Sequence, residues 1–211
     1  YHGKIKIPSF NNQSENSNNK NPSNSSDFTN EVQNPDDVTF AELLQLIANH
    51  LKKTNSSIKW VRFMSSHPKD LTDDVIDVIA REKVLCRHIH LPVQHGSNAI
   101  LQKMNRRYTR EHYLALVEKI KSKIPEVSLT TDIMMGFPGE TEADFEILKN
   151  AVEDLKFDRL GCFTYSKEDG TPAAKFENQV HPKTKEKRKN IIMNIQNEIS
   201  TEKMKEKIGQ E

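Results

Sequence analysis

Two stretches of this chain each carry an apolar strand into a polar, glycine-containing turn and then into a helix. The first reads HLPVQHGSN at residues 90–98, and the second reads LTTDIMMGFPGETEADF at residues 129–145. In a β/α barrel, the side chains that carry out chemistry lie at the carboxyl ends of the strands. Two such strand ends therefore predict a ligand that is shared between them.

Helical and strand-like segments alternate along the rest of the chain. Strands that alternate with helices of roughly ten to fifteen residues pair in parallel through right-handed crossovers. Thr141 and Asp144 have the spacing of a capping box, which marks the start of one helix. Helical patterns cover residues 39–51, 70–81, 98–105, 109–123, 141–156 and 183–207, and strand patterns cover 58–64, 88–93, 127–135 and 159–165.

The length of the chain limits how much of such a fold it contains. It has 211 residues, and a complete eight-stranded barrel has roughly 250. We therefore expect an α/β fold in the form of a partial TIM-type (β/α) barrel. Residues 11–30 are almost wholly Asn, Ser and other polar types, which cannot bury enough apolar surface to fold, so we expect residues 11–38 to be a disordered insertion.

Composition excludes several classes of protein. The 31 Lys and Arg residues nearly balance the 30 Asp and Glu residues, so any surface for nucleic acid must be local. No apolar run is long enough to cross a bilayer, and we expect a cytoplasmic protein without a membrane partner, with an organelle as the second location. Cys86 and Cys162 are too few for a disulfide framework.

Polar side chains follow the first strand end. Gln94, His95, Ser97 and Asn98 offer amide, imidazole and hydroxyl groups that suit a ribose or an amino acid. A polar loop in which Ser97 is the N-cap of the next helix explains the same residues without a ligand. Both interpretations remain open on sequence alone.

The second strand end is the turn Gly-Phe-Pro-Gly-Glu-Thr at residues 136–141. Its glycines would let the backbone approach a ligand closely. The helix that follows would offer amides and a positive dipole end to a carboxylate or a phosphate. The turn lacks the lysine and the Ser or Thr of a P-loop, and a turn that only redirects the chain remains the alternative.

Histidines and basic residues suggest two further kinds of site. His88 and His90 share one face of a predicted strand, but no Cys or carboxylate stands at ligand spacing, so we expect no metal site in this chain. Basic clusters could contact the phosphates of RNA, although such runs are usually solvated faces. The RNA-binding candidates are Arg106, Arg107 and Arg110 in one cluster and Lys187 and Arg188 in the other.

Several ordered motifs resemble the radical S-adenosylmethionine (SAM) methylthiotransferases. They read HPKDLTDDVIDVIA, HIHLPVQHGSNAILQKMNRRYTREHYL, TTDIMMGFPGETEADF and YSKEDGTPAA. The resemblance covers about residues 40–200 and implies a radical SAM β/α barrel at residues 39–181. It further implies that residues 1–10 end an upstream barrel segment and that residues 182–211 form a helical linker toward an RNA-binding domain.

The resemblance also implies the cofactors and their site. In this family a [4Fe-4S] cluster, bound by a CxxxCxxC triad, reduces SAM to a radical that abstracts hydrogen from the substrate. Gln94 and Ser97 would contact the ribose or methionine part of SAM, and the strand end from Asp132 to Glu140 would line its adenosine side. The complete cofactor-binding set expected is Gln94, His95, Ser97, Asp132, Gly136, Pro138 and Glu140.

One departure from the family is large, because the chain contains no CxxxCxxC motif. The simplest interpretation is a fragment that lacks the first strands and their cluster ligands and is inactive by itself. The expected function is methylthio transfer to an N6-modified adenosine of tRNA near the anticodon, by a monomer. The alternatives are methylthiolation of an aspartate of ribosomal protein S12, and a degenerate barrel that acts as a non-catalytic RNA-binding module.

Overall fold

The computed structural model describes residues 5–6, 37–64 and 66–209. The polar stretch at residues 11–30, predicted to be disordered, lies outside them. Within the described residues the chain opens with a short antiparallel ribbon, in which β1 (Ile5–Lys6) pairs with β2 (Asp37–Val38). The sequence patterns did not predict this ribbon.

A parallel three-stranded sheet forms the centre of the fold. It consists of β3 (His88–His90), β4 (Ser128–Met135) and β5 (Arg159–Thr164), in that order. The register aligns His90 with Thr130, and Asp132 with Gly161. This arrangement confirms parallel pairing of three of the four predicted strands.

The strand predicted at residues 58–64 is wrong. This segment makes a single parallel bridge, between Val61 and Leu85. The Val61 N–H donates to Val84 O at 2.7 Å, and the Cys86 N–H donates to Val61 O at 2.9 Å. Trp60 and Met64 are exposed, so the segment lacks the buried face that holds a strand in register.

Helices connect these strands, and their predicted positions are confirmed to within a few residues. Three of them begin at threonines whose hydroxyl groups accept a backbone N–H, which satisfies an amide that the helix leaves unpaired. The helices are α1 (Phe40–Lys53), α2 (Asp73–Arg81), α3 (Asn98–Lys103), α4 (Arg110–Lys123), α5 (Glu142–Leu155) and α6 (Pro182–Glu206), with a short 3₁₀ helix at Pro172–Lys175.

The core lies between one face of the sheet and these helices. Ile89, Leu129 and Ile133 are buried there, and burial of each such side chain contributes about 1.5–3 kcal/mol. The helix α6 packs along α5 and β5 and buries Ile192 and Ile199. The segment expected to be a linker is therefore part of the same packed unit.

The other face of the sheet differs in chemistry. It carries His88 and His90 from β3, Thr130, Asp132 and Met134 from β4, and Gly161 and Phe163 from β5, and we call it the open face. Most of these positions are half-buried or exposed. Among the described residues, no helix is both long and apolar enough to cross a membrane.

Candidate functional site

Gln94 marks the point where the chain leaves β3. Its N–H donates to Asp132 O at 2.9 Å, and its carbonyl accepts the Met134 N–H at 2.8 Å. These two bonds hold Gln94 against β4 with φ of +65°, in the left-handed region that residues with a Cβ avoid. Backbone strain of this kind clusters at binding and active sites.

A buried ionic network lies directly behind Gln94. The Ser97 N–H donates to His95 Nδ1 at 3.0 Å, so the neutral imidazole carries its proton on Nε2, which lies 3.4 Å from Glu140 Oε2. The carboxylate of Glu140, whose side chain is 0% exposed, also accepts the Gly136 N–H at 2.7 Å. His95 and Glu140 therefore join the first ligand loop (residues 94–98) to the second ligand loop (residues 136–141), and neither side chain is open to a ligand.

The ionisation of Glu140 follows from these partners. Burial alone would raise the pKa of its carboxyl group, but the contacts with His95, the Gly136 amide and Arg188 outweigh burial and hold that pKa below its usual value. Glu140 is therefore a buried anion at neutral pH. A buried anion is tolerated only where it is paired and hydrogen-bonded.

Arg188 supplies the compensating cation from α6. Its Nη1 donates to Glu140 Oε1 at 2.6 Å and its Nη2 donates to Glu142 Oε2 at 2.7 Å, and its side chain is only 7% exposed. The guanidinium also lies over the Phe145 ring, 5.3 Å from the centroid. The expected RNA contact of Arg188 is corrected: the residue is internal and fastens α6 to the second loop.

The start of α5 is already occupied by carboxylates. Thr141 and Asp144 form the predicted capping box, in which the Thr141 N–H donates to Asp144 Oδ2 at 3.0 Å. The Ser97 hydroxyl donates to the other oxygen of Asp144 at 2.5 Å and does not cap its own helix. A ligand carboxylate or phosphate is not favoured here, because Glu140, Glu142 and Asp144 would repel it.

The glycines of the second loop are approached by lysines. Gly136 and Gly139 have φ of +71° and +81°, so the turn itself requires them. Lys185 passes over Gly136 and donates to Tyr165 O at 2.7 Å, and Lys103 donates to Gly139 O at 3.2 Å. The close approach predicted for a ligand is made at these two positions by protein side chains.

A chain of polar side chains crosses the open face. Arg62 Nη2 lies 3.1 Å from His88 Nε2, and Thr130 Oγ1 lies 3.4 Å from the same nitrogen. Thr130 Oγ1 also lies 2.9 Å from His90 Nδ1, and His90 Nε2 lies 3.3 Å from Asp132 Oδ2. Gln94 and Asp132 are the members of the expected SAM-binding set that are half-exposed. Their amide and carboxylate groups suit the hydroxyl and amino groups of a nucleoside.

The sequence reasoning gave no role to Thr130, Gly161 or Phe163. Thr130 bridges the two histidines, and Gly161 leaves room for the Asp132 carboxylate, which a Cβ at that position would strike. Alternation along β4 and β5 could have placed these residues on one face. The register between the strands, which brings them together, is not readable from either strand alone.

An iron–sulfur cluster does not fit the cysteines of this chain. Cys86 and Cys162 are its only thiols, and β4 lies between the segments that carry them. Burial raises the pKa of Cys162 to about 12, so this thiol stays protonated and is a poor metal ligand. In the part of the chain that the structure describes, no group of three His, Cys, Asp or Glu side chains could hold a metal ion.

The first basic cluster lies beside the end of β3. The Tyr108 hydroxyl donates to Val93 O at 3.0 Å and anchors the loop between α3 and α4. Arg107 is exposed, whereas Arg106 and Arg110 are half-buried. Lys187 is exposed on α6 and is distant from this loop in sequence. Contact of Lys187 and of the three arginines with RNA stays a prediction.

Comparisons with known proteins agree with the fold. Residues 33–152 match the Radical SAM superfamily. A coproporphyrinogen III oxidase from Escherichia coli, described as a radical SAM enzyme, superposes with a TM-score of 0.60 at 18% identity, over 76% of this chain and 38% of that one. The expected class of partial β/α barrel is confirmed.

Relatives found by sequence identify the family more narrowly than the fold does. A tRNA-2-methylthio-N(6)-dimethylallyladenosine synthase from Clostridium botulinum strain Okra is 55% identical over 168 residues, which cover 80% of this chain and 36% of that protein. The protein of the same name from Treponema denticola is 45% identical over 172 residues, 82% of this chain and 38% of the relative. The resemblance to radical SAM methylthiotransferases is confirmed, and the chain spans little more than a third of these relatives.

Proposed function

Because this chain belongs to the radical SAM superfamily, we propose that it forms the SAM-binding sheet edge of a tRNA methylthiotransferase. The protein would add a methylthio group to an N6-modified adenosine of tRNA. Two relatives named as tRNA-2-methylthio-N(6)-dimethylallyladenosine synthases support this choice of substrate, since they match about four fifths of the chain. We further propose that the protein acts as a cytoplasmic monomer.

The strained conformation of Gln94 at the end of β3 is the single observation that carries the proposal. A strained, half-buried amide at the end of a parallel strand is placed where β/α barrels bind their ligands. The turn itself would be less strained with glycine at this position. Gln94 therefore retains a side chain at a conformational cost, and a hydrogen bond to SAM would account for it.

The other residues of the site position this amide. Ser97 and Asp144 join the first loop to α5, and His95 and Glu140 join it to the second loop. Pro138 is buried in the second loop, where its fixed φ restricts that turn. SAM supplies the radical chemistry in this superfamily, and the residues of this chain hold the coenzyme and exclude water from it.

Contact with tRNA is proposed for the basic residues that remain accessible. Arg106 and Arg107 lie beside the end of β3, and Lys187 is exposed at the start of α6. Phosphate contacts of this kind would position the RNA without reading its sequence.

The test is to identify the molecule that the full-length protein modifies. In a strain without the gene, mass spectrometry of tRNA nucleosides should show that the 2-methylthio derivative of N6-dimethylallyladenosine disappears and returns on complementation. Intact ribosomal protein S12 should keep its mass. A change in the mass of S12 with unaltered tRNA would instead support the aspartate-modifying branch. No change in either molecule would support a non-catalytic RNA-binding module.

A further inference from the structure

We propose that one exposed side of α6 binds the double-stranded RNA stem that adjoins the modified nucleotide, through phosphates and 2′-hydroxyl groups. The proposal rests on the proposed function, which supplies tRNA as the partner, and goes beyond the single contact proposed there for Lys187. We call this side the α6 stripe. Its lysines and side-chain amides belong to Lys183, Lys187, Asn190, Asn194, Asn197 and Lys205.

The residues of the α6 stripe share one side of the helix because of their spacing. Together with Thr201 they recur every three or four residues, which places them in one line along an α-helix. All of them are exposed. From Lys183 to Lys205 the stripe is about 33 Å long, at about 1.5 Å per residue.

The opposite side of α6 fixes the direction in which the stripe points. Ile192 is fully buried there, and the side-chain amide of the buried Gln196 donates to Phe157 O at 2.9 Å. The helix cannot turn about its axis without breaking these contacts. The stripe therefore has a defined orientation on the molecule.

The stripe begins beside the ligand loops. Arg188, in the second turn of α6, donates to Glu140 of the second ligand loop at 2.6 Å. Near the other end of α6, Lys203 Nζ lies 3.1 Å from Asp158 Oδ2, directly before β5. The helix thus runs from the carboxyl ends of the strands to their amino ends. An RNA whose modified nucleotide lies at the ligand loops could extend its stem along this helix.

The charge of the stripe favours an anionic partner. The stripe contains three lysines and no Asp or Glu, and Glu186 and Glu198 lie beside it. A polyanion would be attracted to the stripe and repelled by the outer side of α5. The exposed acidic residues of α5 are Glu142, Glu146, Glu153 and Asp154.

The asparagines of the stripe do not serve the helix itself. Asn is a poorer helix former than Ala, Lys or Glu, because its side chain bonds to the backbone in competing conformations. Among the described residues, the side-chain amides of Asn190, Asn194 and Asn197 have no hydrogen-bond partner. Each amide offers two N–H donors and one acceptor oxygen, so all three are available to a ligand.

A row of amides between lysines suits the minor groove of an A-form RNA helix. This groove is wide and shallow and displays 2′-hydroxyl groups, each of which both donates and accepts hydrogen bonds. The asparagines would bond to these hydroxyls, and the lysines at the two ends of the stripe would contact phosphates. A DNA stem lacks the hydroxyls, so the stripe should distinguish RNA from DNA of the same sequence.

The first experiment compares the binding of two hairpins to the full-length protein. One is an RNA with the sequence of the anticodon arm of a substrate tRNA, and the other is the corresponding DNA. Wild-type protein should prefer the RNA. The double variant Asn190→Ala with Asn194→Ala should lower RNA affinity about tenfold and DNA affinity less than about twofold. The control is Asn150→Ala, the same substitution at an exposed position of α5, which should keep the wild-type preference.

The second experiment measures how RNA affinity depends on salt concentration. Each phosphate contact adds about 0.9 to the slope of log affinity against log salt. The double variant Lys183→Met with Lys187→Met should therefore reduce the slope by about 2. Lys53→Met removes an exposed lysine from the last turn of α1 and should keep the wild-type slope.

Two results would overturn the proposal. One is a wild-type preference for RNA in the double asparagine variant, and the other is a wild-type salt slope in the double lysine variant. Both would be expected if another domain of the full-length protein, or a second copy, covered the stripe. Alanine is the better helix former, so thermal unfolding should find the asparagine variant at least as stable as wild type.

Failure of this proposal differs from failure of the proposed function. The binding assays require no turnover, and the proposed function is tested on tRNA nucleosides from a strain without the gene. A protein that binds the RNA stem through the stripe but leaves those nucleosides unaltered would contradict the proposed function alone. Unaltered binding in both double variants, with the nucleoside change present, would contradict this proposal alone.

Discussion

Gly96 occupies a position where the backbone of α5 leaves no space for a side chain. A Cβ there would lie 2.8 Å from Leu148 Cα and 3.3 Å from Ile147 O, and neither backbone atom can rotate away. The first ligand loop therefore rests directly on α5. This contact, together with the bond from Ser97 to Asp144, fixes the position of Gln94 relative to β4.

We expect Gly96→Ala to lower the free energy of unfolding by about 2 kcal/mol, because overpacking against backbone forces the loop to move. The midpoint of urea denaturation measures this change. Gly170→Ala is the matched control, since a Cβ there meets nothing within 4 Å and bears only the cost of φ at +82°, about 1 kcal/mol. A Gly96 variant that is as stable as wild type would show that the loop is not seated on α5.

The sequence predicted which residues lie in the two ligand loops better than it predicted what their side chains contact. The two loops, their polar residues and the capping box at Thr141 are all visible in the pattern. The structure shows, however, that His95, Ser97 and Glu140 mainly bond to protein groups. Whether a polar side chain faces a ligand or a distant partner depends on contacts such as that of Glu140 with Arg188, 48 residues away, and a single sequence does not reveal such contacts.

At the scale of elements, Arg188 and Lys185 both connect α6 to the second ligand loop. Arg188 holds the buried Glu140 carboxylate, which in turn accepts the amide of Gly136 and lies beside His95. A movement of α6 would therefore displace groups in both ligand loops. The ion pair of Arg188 with Glu140 is buried, so removal of either partner should strongly lower the free energy of unfolding.

Replacing Arg188 with Met should lower the free energy of unfolding by about 3–5 kcal/mol, because Glu140 would remain buried without its cation. The double variant Arg188→Met with Glu140→Gln should recover part of this loss, and chemical denaturation of both these variants, the single Glu140→Gln variant and the wild type gives the coupling energy. Lys187→Met, one residue away on the exposed side of α6, should stay within about 0.5 kcal/mol of wild type. Equal losses at positions 187 and 188 would argue against the network.

The helices and the three strands of the central sheet were predicted well, whereas the segment at residues 58–64 and the ribbon of β1 and β2 were not. Each predicted helix is present because its apolar spacing and its cap are local signals. The segment at residues 58–64 has the composition of a strand but pairs only at Val61, since a strand requires partners along its length. The ribbon of β1 and β2 was missed because two residues per strand carry no periodicity.

At the scale of the whole molecule, the proposed function makes this chain one part of a radical SAM site. It contains the parallel strands, the loops at their carboxyl ends and an open face suited to a nucleoside. It contains no thiolate set for an iron–sulfur cluster, and it spans little more than a third of its relatives. The central claim is that the end of β3, with Gln94 in a strained conformation, binds SAM.

The most direct measurement of this claim is calorimetric titration of SAM into the full-length protein with Gln94→Gly. Glycine relieves the strain at φ of +65°, so thermal stability should be unchanged or higher, while SAM affinity should fall about tenfold with the lost hydrogen bond. The control is Asn55→Gly, which relieves a similar left-handed conformation at an exposed position after α1 and should leave SAM affinity unchanged. SAM binding to the Gln94 variant that equals wild type would contradict the account.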